Sequence, residues 1–167
     1  MNASIRSSHR LRAILSTIFL LLCALFLVLL YVFKGDMDNL ISTKMKEQAE
    51  PGIQKGIAAY IDSVYNYENN QAGYAITFLE FGATGCISCR KMERVMREVK
   101  ESYPHKVNVR FINVMLPDNQ DMMKYFGIAA IPTQVLLDSS GKEAFRHTGV
   151  FSTEDLENEF QKLNQCP

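Results

Sequence analysis

The sequence predicts a small α/β domain with a mixed sheet covered by helices on both faces, preceded by one N-terminal transmembrane helix. Three observations carry this. The 167 residues allow one ordinary domain with a segment left over. A run of 21 residues, 13–33, contains no charged side chain. Beyond residue 52, short strands alternate with helices and end in a hairpin, the pattern of a mixed sheet packed between helical layers.

Taken in order, the uncharged run comes first. At about 1.5 Å per residue it spans roughly 31 Å, which matches a hydrocarbon core of about 30 Å. A cleaved secretory signal has a shorter apolar region and a small-x-small site, and Leu30-Tyr31-Val32-Phe33-Lys34 offers none, so an uncleaved anchor is expected over residues 13–33. Arg6, Arg10 and Arg12 precede the run, whereas Lys34, Asp36 and Asp38 come after it, so residues 1–12 are expected in the cytoplasm and the remainder outside. Cys23 within the span is expected to pack, and the bulky Leu22 before it argues against lipid attachment. Of the 18 basic residues only those three arginines precede the run, so residues 34–167 carry 15 basic against 18 acidic side chains, a net −3. That balance gives no reason to expect a nucleic-acid partner.

Residues 34–52 are polar and broken by Gly35 and Pro51-Gly52, with a helical stretch near 40–47, and read as a stalk. The domain is expected over 53–167. Ile53, Ile57, Ile61, Val64 and Tyr65 form one face of a helix ending near Glu68-Asn69-Asn70. A strand is expected next over 74–81, then a break at 82–85, then a helix whose inner face is Met92, Val95, Met96 and Val99 and which stops before Pro104. Residues 107–115 alternate as a second strand, and 119–126 form a short helix closed by Gly127. Strands at 133–137 and 143–148 are joined through Asp138-Ser139-Ser140-Gly141, a hairpin signal. Ser152, with Asp155 three residues on, caps a last helix carrying Leu156, Phe160 and Leu163 on one face. No internal repeat or low-complexity tract interrupts this order.

The strongest chemical signal is Cys86-Ile87-Ser88-Cys89, a C-x-x-C at a strand-to-helix turn. There the first sulfur meets the positive end of the helix dipole and the second lies a turn further in, so Cys86 is expected to be the nucleophile, with a lowered pKa helped by Arg90, Lys91 and Arg94. A zinc site needs four ligands, and only His105 and His147 remain in the domain, far apart in sequence, so neither a metal nor another cofactor is expected. A purely structural disulfide stays open, although so short a loop constrains the unfolded chain little. His105 and His147 read as surface or packing residues, and Cys166 as an incidental thiol.

Glu80 is the second unusual residue. It shares a strand face with Ile76 and Phe78 in a strand expected to be buried on both sides, where an unpaired carboxylate costs several kcal/mol. It either reaches water at the strand end or is placed to take and return the proton of Cys89. Ile131-Pro132-Thr133 opens a strand, where proline is tolerated as an edge device; a cis Ile131-Pro132 bond is the functional alternative.

Together these residues resemble the thioredoxin family: Leu79-Glu80-Phe81-Gly82-Ala83 before the dithiol, Arg90-Lys91-Met92 after it, Tyr125-Phe126-Gly127-Ile128, Ile131-Pro132-Thr133, 138–141 and Gly149, over about residues 53–163. The resemblance implies a thioredoxin-like fold, a cis Pro132 facing the dithiol, Cys86 as the attacking and Cys89 as the resolving cysteine of a redox disulfide, and Glu80 in place of the family's buried carboxylate. It assigns substrate binding to Ile131, Pro132 and Gly149. Three departures stand out: Gly85 replaces the usual Trp, Ile87-Ser88 replaces Gly-Pro between the cysteines, and Phe111 falls near the position of a lysine that commonly pairs with the carboxylate.

Within the family, Gly-Cys-Ile-x-Cys with Thr133-Gln134-Val135 is most similar to membrane-tethered or exported bacterial thioredoxins. The function so implied is a thiol-disulfide oxidoreductase, single-pass in a bacterial-type inner membrane with its catalytic domain in the periplasm. It would reduce disulfides of envelope or cytochrome-maturation proteins and be fed by a polytopic membrane electron donor. A disulfide oxidant or isomerase, and a non-catalytic tethered binding or chaperone module, are the alternatives.

Overall fold

The computed structural model describes residues 2–165; the side chains of 2–11, 13, 14, 34–36, 38, 39, 164 and 165 are not described. Cys166 therefore lies outside the described residues, as do the side chains of Arg6 and Arg10. The chain divides into two compact units, the first running through Leu40 and the second beginning at Ile41. Helix α1, Asn2–Val32, dominates the first. Its window Leu15–Val32 is long and apolar enough to cross a membrane, and none of that window is buried by protein.

The second unit contains the tail of α2 (Lys34–Glu47), then α3 (Pro51–Tyr65), α4 (Tyr67–Asn70), β1 (Ile76–Gly82), α5 (Ile87–Ser102), β2 (Val107–Asn113), a 3-10 turn (Pro117–Asn119), α6 (Gln120–Phe126), β3 (Thr133–Leu137), β4 (Glu143–Thr148) and α7 (Thr153–Gln165). The sheet order is β2-β1-β3-β4, with β1 parallel to β2 and antiparallel to β3, and β3 antiparallel to β4. This is the expected mixed sheet. Because side chains alternate along a strand, β1 serves two cores at once. Leu79 and Phe81 pack with Ile61, Tyr65, Met122 and Phe126 of α3 and α6. Ile76 and Phe78 pack with Met92, Val95, Met96, Val99, Leu156 and Phe160 of α5 and α7. Every residue of β1 is buried, which is why its sequence reads as a near-continuous apolar run.

Residues 34–52 are the segment read as a stalk. That segment is helical over Lys34–Glu47, and from Ile41 onward it belongs to the domain's compact unit. Ser42 is buried, donates its hydroxyl to the Gly127 carbonyl at 2.8 Å and accepts from Arg146 Nη1 at 2.7 Å. Lys46 pairs with Glu143 at 2.9 Å. Docking by polar groups leaves no apolar stripe in the sequence to announce it. Pro51, read as a breaker, instead stands at the first turn of α3, where its missing N–H costs no hydrogen bond. The expected single helix to residue 70 breaks at Asn66, whose side chain accepts from the Asn69 N–H and caps the short α4. At the 138–141 hairpin, Asp138 Oδ1 accepts from the N–H groups of Ser140 and Lys142, and Gly141 takes a positive φ of 78°. Ser152 and Asp155 cap α7 as expected, the Asp155 N–H donating to Ser152 Oγ at 3.1 Å.

Candidate active site

The break after β1 and the start of α5 position the dithiol. Cys86 is the N-cap of α5, with φ −71° and ψ 123°, and its sulfur accepts from the Cys89 N–H at 3.2 Å. An N-cap side chain faces amide hydrogens that have no partner within the helix, so charge on this sulfur is stabilised as it forms. Cys86 and Cys89 form a disulfide with Cα atoms 5.2 Å apart. Cys86 is half-buried and Cys89 only 3% exposed, so Cys86 is the more accessible of the two. The Ser88 hydroxyl lies 3.3 Å from the Cys86 sulfur. Of the expected basic neighbours, Arg90 and Lys91 are exposed, and Arg94 pairs with Glu98 at 2.8 Å, a turn along the helix.

Glu80 is 0% exposed, so the alternative in which it reaches water at the strand end is ruled out. Its partner in β2 is Phe111 and in β3 Gln134. The uncharged Phe111 is thus the residue that pairs with the carboxyl's strand position from β2. Glu80 Oε2 accepts from Gln134 Nε2 at 3.1 Å, while Oε1 has no hydrogen-bond partner. Burial pushes the carboxyl up to about 8, with the Gln134 hydrogen bond opposing the shift. Gly82 lies two residues on, on the same strand face. A Cβ at Gly82 would stand 2.8 Å from the Phe111 ring and 3.4 Å from Cys89 Sγ. The Phe111 ring leaves no room for a Cβ there, and the Cys89 sulfur lies against Gly82, one same-face step, about 7 Å of strand, beyond the carboxyl.

The Ile131-Pro132 bond is cis, as the resemblance implies. The Gly149 N–H donates to the Pro132 carbonyl at 2.8 Å, so two of the expected substrate-binding residues are joined directly. The segment that follows Gly149 turns back onto α5, where the Phe151 N–H donates to Met92 Sδ. His147 stacks on Phe151 with ring centroids 4.3 Å apart, a packing role, and His105 is exposed in the turn between α5 and β2. Among the described residues no three His, Cys, Asp or Glu side chains gather into a metal-ligating group. Sequence reasoning missed the part Gln134 plays. Its signal was a long amide ahead of Val135, Leu136 and Leu137 in a strand, 133–137, all of it buried.

An N-capping, accessible cysteine disulfide-bonded to a buried one, on a mixed sheet with a cis proline, defines a thioredoxin-type thiol-disulfide oxidoreductase. The chain belongs to the thioredoxin-like domain family, whose profile matches residues 66–164. Among solved structures it is similar to a thioredoxin variant from Halobacterium salinarum, at 20% identity and a TM-score of 0.51, covering 59% of this chain and 83% of that one. It is also similar to the germline-specific thioredoxin Deadhead of Drosophila melanogaster, at 24% identity and a TM-score of 0.49, covering 59% of this chain and 90% of that one. No curated protein matches it.

Proposed function

We propose that this protein is a membrane-anchored, extracytoplasmic reductase of protein disulfides. The observation that carries the chemistry is the pairing of an accessible Cys86 at the helix N-cap with a Cys89 buried beside the strand of Glu80. In the reduced enzyme, the Cys86 thiolate attacks one sulfur of a substrate disulfide and expels the other as a thiolate, leaving a mixed disulfide. Cys89 then loses its proton to Glu80 and attacks Cys86 Sγ. The second substrate sulfur leaves as a thiolate, and the enzyme retains the Cys86–Cys89 disulfide. Two electrons have passed to the substrate.

A carboxyl raised to about 8 suits this step, because an ordinary carboxylate is too weak a base for a thiol of pKa about 8.5. The substrate lies along Ile131, Pro132 and Gly149, with the main chain before the proline pairing to it. Reduction of the spent disulfide falls to a polytopic electron donor in the same membrane, near which the anchor keeps the domain. Exported proteins whose cysteines have become disulfide-bonded, including apocytochromes and misoxidised envelope proteins, form the substrate class.

The Ser88 hydroxyl supports a second reading. A donor 3.3 Å from the Cys86 sulfur stabilises the thiolate and so the reduced form, which makes the couple more oxidising and favours an oxidant or isomerase. The test uses the full chain in detergent with insulin as substrate and a small dithiol as reductant. Wild type is expected to turn over and Cys86→Ser to be inactive; equal rates overturn the mechanism. A Cys86/Cys89 potential below about −220 mV supports the reductase, and one above about −160 mV the oxidant or isomerase.

A further inference from the structure

Gln134 is the second residue of β3, with its side chain 0% exposed. Its amide nitrogen makes two hydrogen bonds of 3.1 Å, one to Glu80 Oε2 and the other to the Gly149 carbonyl. Both amide hydrogens are thereby used. Gly149 in turn donates its N–H to the Pro132 carbonyl. A continuous chain of hydrogen bonds thus runs from the buried carboxyl, through one amide, to the backbone of the loop that closes on the cis proline. An apolar side chain of the same length would fill the space equally well, and burying an amide has a desolvation cost that these two bonds offset.

We propose that Gln134 is a positioning residue that ties the Glu80 carboxyl to the Gly149–Pro132 edge, so that the proton site of the resolving step and the substrate-binding backbone are held as one unit. This rests on the oxidoreductase reading above. Charge on Glu80 strengthens the Nε2–H···Oε2 bond, and the same nitrogen holds Gly149 in place, so the state of the carboxyl is felt at the substrate edge. The other titratable side chains that neighbouring elements bring to this face are Cys89 of α5 and His147 of β4. His147 pairs in register with Gln134 and lies close to Gly149. Phe111 is the partner from β2 and carries no charge. Gln134 Oε1 is buried without a hydrogen-bond partner, so the amide is held through its nitrogen alone.

Two measurements on the full chain in detergent test this. In the first, the side-chain amide resonances of Gln134 are followed against pH by NMR, identified by their loss in Gln134→Met. They are expected to titrate in wild type and to stay flat in Glu80→Gln. A flat wild-type response, or a titration that persists in Glu80→Gln and so belongs to His147 or Cys89, overturns the proposal. In the second, insulin reduction is compared for wild type and Gln134→Met. Loss of one hydrogen bond on each side is expected to raise KM about tenfold and to move the alkaline midpoint of the rate profile up by about one pH unit. Movement of only one quantity, or of neither, overturns the link, since a residue that merely filled the core would leave the pH profile in place. If wild type does not reduce insulin at all, the functional reading falls, while the NMR titration still decides whether Gln134 senses Glu80.

Discussion

A carboxyl group with no exposure, facing a phenylalanine and one amide, has been placed in the centre of a sheet at a cost to stability that depends on pH. Glu80 is raised from an ordinary 4.5 to about 8 by burial. Between those values the native protein holds a proton that the unfolded chain has released, so stability falls as pH rises through this window. The contribution is complete below 4.5 and gone above about 8. At about 1.4 kcal/mol per unit this amounts to several kcal/mol, a large share of an ordinary domain's stability. Glu80→Gln is expected to flatten this slope in denaturant unfolding measured from about pH 5 to 9, and to be more stable than wild type at the alkaline end. It is also expected to slow resolution of the mixed disulfide more than the first attack. Parallel wild-type and variant stability curves would mean that the carboxyl is ionised and paired in the native state. That the protein keeps such a residue is the residue-level argument for its use in proton transfer.

Among the elements, those whose sequence carried a hydrophobic period were legible, and those held by polar contacts were not. The apolar run of β1 and the i, i+3, i+4 faces of α5 and α7 place their residues in the two cores where the structure has them. The dithiol was legible because a helix start after a strand break is written locally, in Gly82 to Cys89. Gln134 was not, because its partners Glu80 and Gly149 are brought to it by three strands, and no short-range pattern records a cross-strand amide. The contacts of the tail of α2 were not legible for the same reason. Its anchor is the buried Ser42 between the Gly127 carbonyl and Arg146, whose guanidinium also donates to the Phe126 carbonyl and to Glu143. Ser42→Ala removes the hydroxyl and leaves the other partners buried, so it is expected to cost about 1–3 kcal/mol in thermal or denaturant unfolding. Limited proteolysis within 41–50 should rise with it. If neither changes, the segment behaves as the free stalk that its composition suggests.

At the scale of the whole molecule the question is what α1 does for the dithiol. Its window Leu15–Val32 has the length and composition of a span, and a signal sequence near an N-terminus passes the same test. The two have opposite consequences for the enzyme. An anchor keeps the domain at the membrane surface, where a thiol-disulfide enzyme outside the cytoplasm can meet a membrane electron donor at high effective concentration. A cleaved signal would release it to diffuse. The absence of a small-x-small site after Leu30, together with the three arginines ahead of the run, argues for retention with the N-terminus inside. The full 19.0 kDa chain is therefore expected to stay with membranes after an alkaline wash. A reporter enzyme that folds only outside the cytoplasm should be active when fused after Phe33. A shorter, soluble mature form would convert the anchor into a signal and remove the reason for a tethered donor. A reporter active only inside would put the dithiol in the cytoplasm, where soluble reductants supply electrons and the membrane route has no part to play.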